Sequence, residues 1–248
     1  MRIQGLQKLT LLDYPGKTAC TVFLSGCNFR CPFCHNTPLL TADAADGMAE
    51  EELLAFLKKR RGLLDGVAIT GGEPLLRPEL PALLEKIKEL GYAVKLDTNG
   101  AFPDRLEQIV RAGLADYVAM DVKNSPARYA QTVGAAEFDL APIDKSVSFL
   151  LRGTVDYEFR TTAVAEFHDD ASFLSLADWL AGARRYFIQC FEPRQTVLQA
   201  DLHAPSPRSC TTGQSWCVLT YPMCLCAGYE SIYCFHKKYK TQYIVILY

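Results

Sequence analysis

The run TACTVFLSGCNFRCPFCHN, residues 18–36, is an apolar segment rich in β-forming residues that breaks into a loop carrying Cys27, Cys31 and Cys34. Thr18 to Leu24 reads as a buried strand, and the loop behind it places three thiols within eight residues. The same order, strand then polar cluster, recurs along the chain. Five further strands are expected at Gly66 to Thr70, Ala93 to Leu96, Tyr117 to Met120, Tyr157 to Val164 and Tyr186 to Phe191. Gly71 to Glu73 follow the second strand, Asp97 to Asn99 the third, and Asp121 with Lys123 the fourth. Arg160 lies within the fifth, and Glu192 follows the sixth.

Helical periodicity fills the intervals, at Ala49 to Arg60, Glu79 to Leu90, Asp104 to Ala112, Asp144 to Leu151 and Ser172 to Ala183. Pro78 and Pro103 stand where helices start, where a missing N–H costs little. Alternating strands and helices predict an α/β fold whose parallel sheet, joined by right-handed crossovers, is either open or curled into a partial barrel. In barrels the chemistry gathers at the C-terminal strand ends, which is where these polar clusters fall. His168, Asp169 and Asp170 precede a helix and are expected to cap it.

At 248 residues, with 22% charged and 49% hydrophobic residues, the chain suits one large folded domain. A formal net charge of −2 gives no reason to expect nucleic acid or a membrane surface as partner. Met1 to Leu12 lacks a signal-peptide pattern and no apolar stretch is long enough to span a bilayer, so a cytoplasmic location is the expectation. In a reducing compartment, ten cysteines are more often metal ligands or catalytic groups than disulfides.

Three convergent thiolates select zinc, copper(I) or an iron–sulfur cluster. A closed structural zinc site needs four ligands, and His35, adjacent to Cys34, is poorly spaced to be the fourth. From spacing alone, a cluster with one non-cysteine iron, zinc, and no metal at all remain open.

The longer segment Gly5 to Asn36 carries CxxxCxφC with Phe33 as the aromatic residue. It resembles the start of radical S-adenosylmethionine (radical SAM) activating enzymes, particularly those that activate anaerobic ribonucleoside-triphosphate reductase. That resemblance implies a partial (β/α)6 barrel of the radical SAM type, a parallel sheet with outer helices. It also implies a 4Fe-4S cluster on Cys27, Cys31 and Cys34, with S-adenosylmethionine chelating the fourth iron and Phe33 and His35 beside it.

An isolated glycine pair is usually a tight βα turn, but VAITGGEP, residues 67–74, resembles the family's GGE motif. On that match Gly71, Gly72 and Glu73 receive the cofactor's amino group. KLDTNG, residues 95–100, and Met120-Asp121-Val122-Lys123 resemble patterns of glycyl-radical activating enzymes, including the pyruvate formate-lyase activating enzyme. There they imply Asp97, Thr98 and Asp121 as ligands of a monovalent cation and Lys123 as a contact to S-adenosylmethionine. Arg160 either meets the cofactor's carboxylate or is a solvated rim arginine. Pyruvate formate-lyase activating enzymes carry a histidine after the sixth strand, where this chain has Phe191-Glu192, a departure that favours the reductase-activating group.

The implied activity is that of an oxidoreductase. Reductive cleavage of S-adenosylmethionine gives a 5′-deoxyadenosyl radical, which generates a glycyl radical on a partner enzyme, anaerobic (class III) ribonucleotide reductase. A flavodoxin- or ferredoxin-type donor supplies the electron. The rivals are a radical SAM enzyme acting on a small molecule, such as a carboxy-deazaguanine synthase, and a zinc-binding interaction module.

Resemblance and periodicity both stop near Ser206, and no clear periodicity returns until Tyr243 to Tyr248. Residues 1–205 are therefore expected to form the core domain. Residues 206–248, rich in cysteine and tyrosine, form an atypical tail, divergent or read in a shifted frame, outside the catalytic core. Its cysteines, Cys210, Cys217, Cys224, Cys226 and Cys234, are left out of the site.

Overall fold

In a computed structural model, residues 1–40, 47–205, 232–236 and 241–246 are described, the last two segments as backbone strands. The chain runs β1 (Arg2–Ile3), β2 (Gly5–Thr10), β3 (Ala19–Leu24), β4 (Met48–Ala49), α1 (Glu50–Lys59), β5 (Gly66–Gly71), α2 (Leu80–Glu89) and β6 (Ala93–Thr98). It continues with α3 (Pro103–Arg111), β7 (Tyr117–Asp121), α4 (Tyr129–Thr132), α5 (Ala141–Leu151), β8 (Asp156–Ala163), α6 (Asp170–Trp179) and β9 (Arg185–Cys190). β10 (Ile232–His236) and β11 (Thr241–Ile246) complete it.

All six expected strands are present, as β3 and β5 to β9, and each pairs in parallel with the next. A strand order that follows the chain puts every right-handed crossover on one side, so the helices share one outer layer. Val67, Ala68 and Ile69 of β5 and Val118, Ala119 and Met120 of β7 are fully buried, as expected of strands covered on both faces. The helices turn apolar stripes inward: Leu80, Leu83, Leu84 and Ile87 of α2, and Leu106, Ile109 and Val110 of α3.

The sheet curls. In a flat sheet the ends of β3 and β9, five spacings apart, would be separated by about 24 Å. Here His35, in the loop after β3, reaches the Glu192 carbonyl just past β9 at 2.8 Å, and Gln199 N–H donates to the Pro32 carbonyl at 3.0 Å.

α5 begins at Ala141, a turn earlier than expected, because Pro142 fits its first turn. β2 was not foreseen: it is an antiparallel edge strand on β3 whose Gln7, Lys8 and Leu9 are exposed, so it has no apolar run to mark it. β11 adds to the other side of the sheet, parallel to β9, with β10 antiparallel beyond it. Asp169 caps α6, its carboxylate accepting from Ser172 N–H at 2.8 Å. Among the described residues no helix is long and apolar enough to cross a membrane.

Candidate functional site

The loop after β3 is folded by its own backbone. Cys34 N–H donates to the Cys31 carbonyl at 3.0 Å, and Phe29 N–H to Cys27 Sγ at 3.4 Å. The Arg30 guanidinium holds the Cys27 carbonyl at 2.7 Å and the Phe29 carbonyl at 2.8 Å. Phe33 is buried, its ring against Phe167 and His168. The His35 ring stacks on Phe191 with centroids 5.4 Å apart, and Asn36 Nδ2 donates to the Gly71 carbonyl at 3.1 Å. So anchored, Cys27, Cys31 and Cys34 line one cavity of about 260 Å³ at the C-terminal ends of the strands.

The end of β5 is packed against that loop as closely as backbone allows. Gly71 has φ +130°, and a Cβ there would fall 2.1 Å from the Leu24 carbonyl oxygen; one on Gly72 would fall 2.0 Å from that of Gly26. Gly72 and Glu73 then donate their N–H groups to the same two carbonyls, at 2.9 and 2.7 Å. Both glycines line the cavity, but the Glu73 side chain turns behind the wall and is fully buried. Its Oε1 accepts from Leu75 N–H at 3.0 Å and Thr98 Oγ1 at 2.9 Å, and its Oε2 from Asn99 N–H at 2.6 Å. Burial pushes the carboxyl up to about 7 against the pull of these three donors, all of which suit the ionised form.

The opposite wall is a ladder of alternating charge across β6, β7 and β8. Lys95 Nζ meets Asp97 Oδ1 at 2.5 Å, and Arg160 bridges Asp97 Oδ2 at 3.2 Å and Asp121 Oδ1 at 2.9 Å. Lys123 Nζ closes it on Asp121 Oδ2 at 2.9 Å. Burial opposes charge at Asp121, but Arg160 and Lys123 outweigh it and hold the carboxyl well below the usual range. Asp121 in turn raises Lys123 and Arg160, against the opposing effect of their burial. Every carboxylate oxygen of the two aspartates is thus engaged by a cationic side chain of the protein itself.

Of the residues singled out in the sequence, Cys27, Cys31, Phe33, Cys34, His35, Gly71, Gly72, Asp97, Thr98, Asp121, Lys123 and Arg160 all face this one cavity. Glu73 supports it from behind. Arg160 is not a solvated rim residue, since its side chain is 16% exposed and held between two aspartates. Asn36, Asn99, Thr162 and Gln189 also line the cavity. The signal for them was available only as position: Asn36 directly follows the cysteine loop, Asn99 sits in the DTNG run, and Thr162 and Gln189 share strand faces with Arg160 and Phe187.

The donor set fits an iron–sulfur cluster. Burial pushes the Cys31 thiol up to about 12 and raises Cys27 as well, so a thiolate at either position needs a cationic centre beside it. Two N–H donors already point at Cys27 Sγ, from Phe29 and from Asn99, as suits a ligand sulfur.

The radical SAM superfamily matches residues 21–152. A protein of Methanocaldococcus jannaschii named as a glycyl-radical enzyme activating enzyme is 32% identical over 213 residues, 83% of this chain and 86% of that one. The 7-carboxy-7-deazaguanine synthase of Hyperthermus butylicus is 38% identical over 46% of this chain and 48% of its own. Among solved structures, SuiB of Streptococcus suis bound to the precursor peptide SuiA superposes with a TM-score of 0.59, covering 73% of this chain and 41% of that one at 14% identity. The cofactors of such a site are a 4Fe-4S cluster and S-adenosylmethionine, and the chain belongs to the radical SAM superfamily.

Proposed function

We propose that this chain is the activating enzyme of a glycyl-radical enzyme, and that its partner is anaerobic ribonucleoside-triphosphate reductase. The observation that carries the reading is likeness over nearly the whole length of a glycyl-radical activating enzyme, with the three cysteines and the Gly71–Gly72 turn on one cavity. When bound, cluster and S-adenosylmethionine supply a one-electron reductive cleavage that yields a 5′-deoxyadenosyl radical. Cys27, Cys31 and Cys34 hold the cluster. The Gly71 and Gly72 backbone receives the cofactor's amino group, with Lys123 and Arg160 as the cationic groups nearest its carboxylate. Phe33 and His35 buttress the loop.

In this reading residues 1–205 carry the chemistry and the tail stays outside it. A monovalent cation at Asp97, Thr98 and Asp121 would enter by displacing Arg160, a requirement checked by comparing turnover in sodium, potassium and tetramethylammonium salts. Cys20, Cys27, Cys31 and Cys34, none of them in a disulfide, suit a reducing compartment, so we place the enzyme in the cytoplasm with a flavodoxin or ferredoxin as donor.

A second reading, action on a small molecule, draws on the half-length likeness to a deazaguanine synthase. Against it, that likeness spans 46% of this chain, whereas the likeness to the glycyl-radical activating enzyme spans 83%.

The test is anaerobic reconstitution followed by incubation with the reductase, dithionite and S-adenosylmethionine. A glycyl radical seen by electron paramagnetic resonance supports the proposal. Turnover to 5′-deoxyadenosine driven by a small substrate with no protein partner would favour the second reading. Colourless protein with one zinc per chain would sink both.

A further inference from the structure

Asn99 is 5% exposed at the foot of the cavity, and neither the charge ladder nor the cofactor contacts proposed above use it. Its backbone N–H is fixed by Glu73 Oε2 at 2.6 Å, and its side-chain Oδ1 accepts from Ala101 N–H at 3.0 Å. That second bond settles which end of the amide is which, because a backbone N–H needs an oxygen opposite it. The amino end must therefore face the cysteine loop. Nδ2 donates to Asn28 Oδ1 at 2.8 Å and stands 3.9 Å from Cys27 Sγ, the long range of a hydrogen bond to sulfur. Phe29 N–H is a second donor on the same sulfur, at 3.4 Å.

Donors aimed at a ligand sulfur stabilise the reduced cluster, which carries one more negative charge, more than the oxidised one. We infer that Asn99 is a positioning residue that tunes the cluster: held by Glu73 and Ala101, its amide donates to the Cys27 thiolate and raises the cluster's reduction potential. The buried Glu73 carboxylate thereby acquires a role other than touching the cofactor, as the anchor that sets Asn99 against the loop. The inference rests on Cys27 being a cluster ligand and is independent of the protein partner.

The full chain is reconstituted anaerobically, its iron and sulfide are counted, and its cluster is titrated with dithionite in the absence of S-adenosylmethionine and partner, read by electron paramagnetic resonance. Two variants are compared with the parent. In Asn99→Ser the hydroxyl still accepts from Ala101 N–H but is too short to reach Cys27. In Asn99→Asp the shape is kept and the donor becomes an acceptor. Both are expected to hold as much iron and sulfide as the parent and to be harder to reduce. For Asn99→Asp the reduced-to-oxidised ratio at a fixed solution potential should fall about tenfold, equivalent to about 59 mV for one electron. Asn99→Ser should shift the same way by less.

Full clusters with parental potentials in both variants overturn the inference, and so does loss of the cluster from Asn99→Ser, which would make Asn99 a brace of the loop only. A parent chain that takes up no iron would overturn the assignment of Cys27 itself, a result told apart by the iron count.

Discussion

On the β3–β5 side, the cavity is lined by three cysteines, two glycines and aromatic and polar side chains of the cysteine loop, whereas on the β6–β8 side it presents Asp97, Asp121, Lys123 and Arg160, locked with the buried Lys95 into one ion-pair ladder. The thiol wall is unfinished in chemical terms: burial raises the Cys27 and Cys31 thiols, and a bound cationic centre is what would favour their thiolate forms. The charged wall is finished, because each carboxylate oxygen already has its cation. A cofactor therefore completes the first wall and must compete with the second. Variants on the first wall should cost cofactor and little stability, and variants on the second should cost stability.

Cys31→Ala should show the largest effect on the first wall. It removes one of three ligands and is expected to abolish cluster binding, read as loss of iron, sulfide and brown colour after anaerobic reconstitution. Because only a sulfur atom is lost from a loop fixed by backbone hydrogen bonds, the apo variant should unfold at nearly the parental denaturant midpoint. Cys217→Ala, in the tail outside the described residues, should keep the full cluster. Loss of the cluster there would bring the tail into the site.

On the second wall, Asp97→Ala strands Lys95, whose side chain is 2% exposed, and removes one of the two partners of Arg160. Leaving a buried charge without its partner costs about 3–5 kcal/mol, and the midpoint of urea unfolding should drop accordingly. Iron uptake by the protein that remains folded should be unchanged. A variant with parental stability would show that the ladder is held together loosely, and the contrast between the walls would fail.

The two walls also differed in how far the sequence revealed them. The three cysteines could be read at once, since their spacing admits few chemistries and they follow a strand rich in β-forming residues. Asp97, Asp121 and Lys123 were recognisable one by one as strand-end polar residues, and Arg160 as a cation within a strand. Their pairing was not, because it depends on strand register: Asp121 lies opposite Arg160, and Asp97 reaches it across β7. The orientation of Glu73 could not be read from the sequence. A carboxylate after two glycines looks like a ligand, yet the Cβ-excluding contact of Gly72 with Gly26 turns the next side chain away from the cavity, toward Thr98 and Asn99. Residue type carries no record of which way that turn goes. β2 was missed for a related reason, being an edge strand whose pairing with β3, not its own composition, makes it one, whereas β11 overlaps the run from Tyr243 that the sequence did mark.

The smallest effect tests the layer behind the charged wall. His168 is 3% exposed, with Nε2 2.9 Å from the Lys123 carbonyl, Nδ1 against the Val164 backbone and its ring between Phe33 and Phe173. Arg128 and Asp169 are the charged side chains that face it, and they act in opposite directions, so burial decides: the imidazole is held below its ordinary value of 6.5. The folded protein then binds fewer protons here than the unfolded chain. This contribution to stability is intact above pH 6.5 and is lost as pH falls from 6.5 through the folded value, at no more than about 1.4 kcal/mol per pH unit. Asp121 adds nothing over that interval, since its depressed carboxyl stays ionised until far more acid conditions. Glu73, raised to about 7, contributes with the opposite sign over the same interval in both proteins, so denaturant titrations of apo protein between pH 5 and pH 8 should show parental stability falling relative to His168→Gln below pH 6.5. A parental and a variant curve of the same slope would mean that the ring charges without penalty, and that the support behind Lys123 is softer than its burial implies.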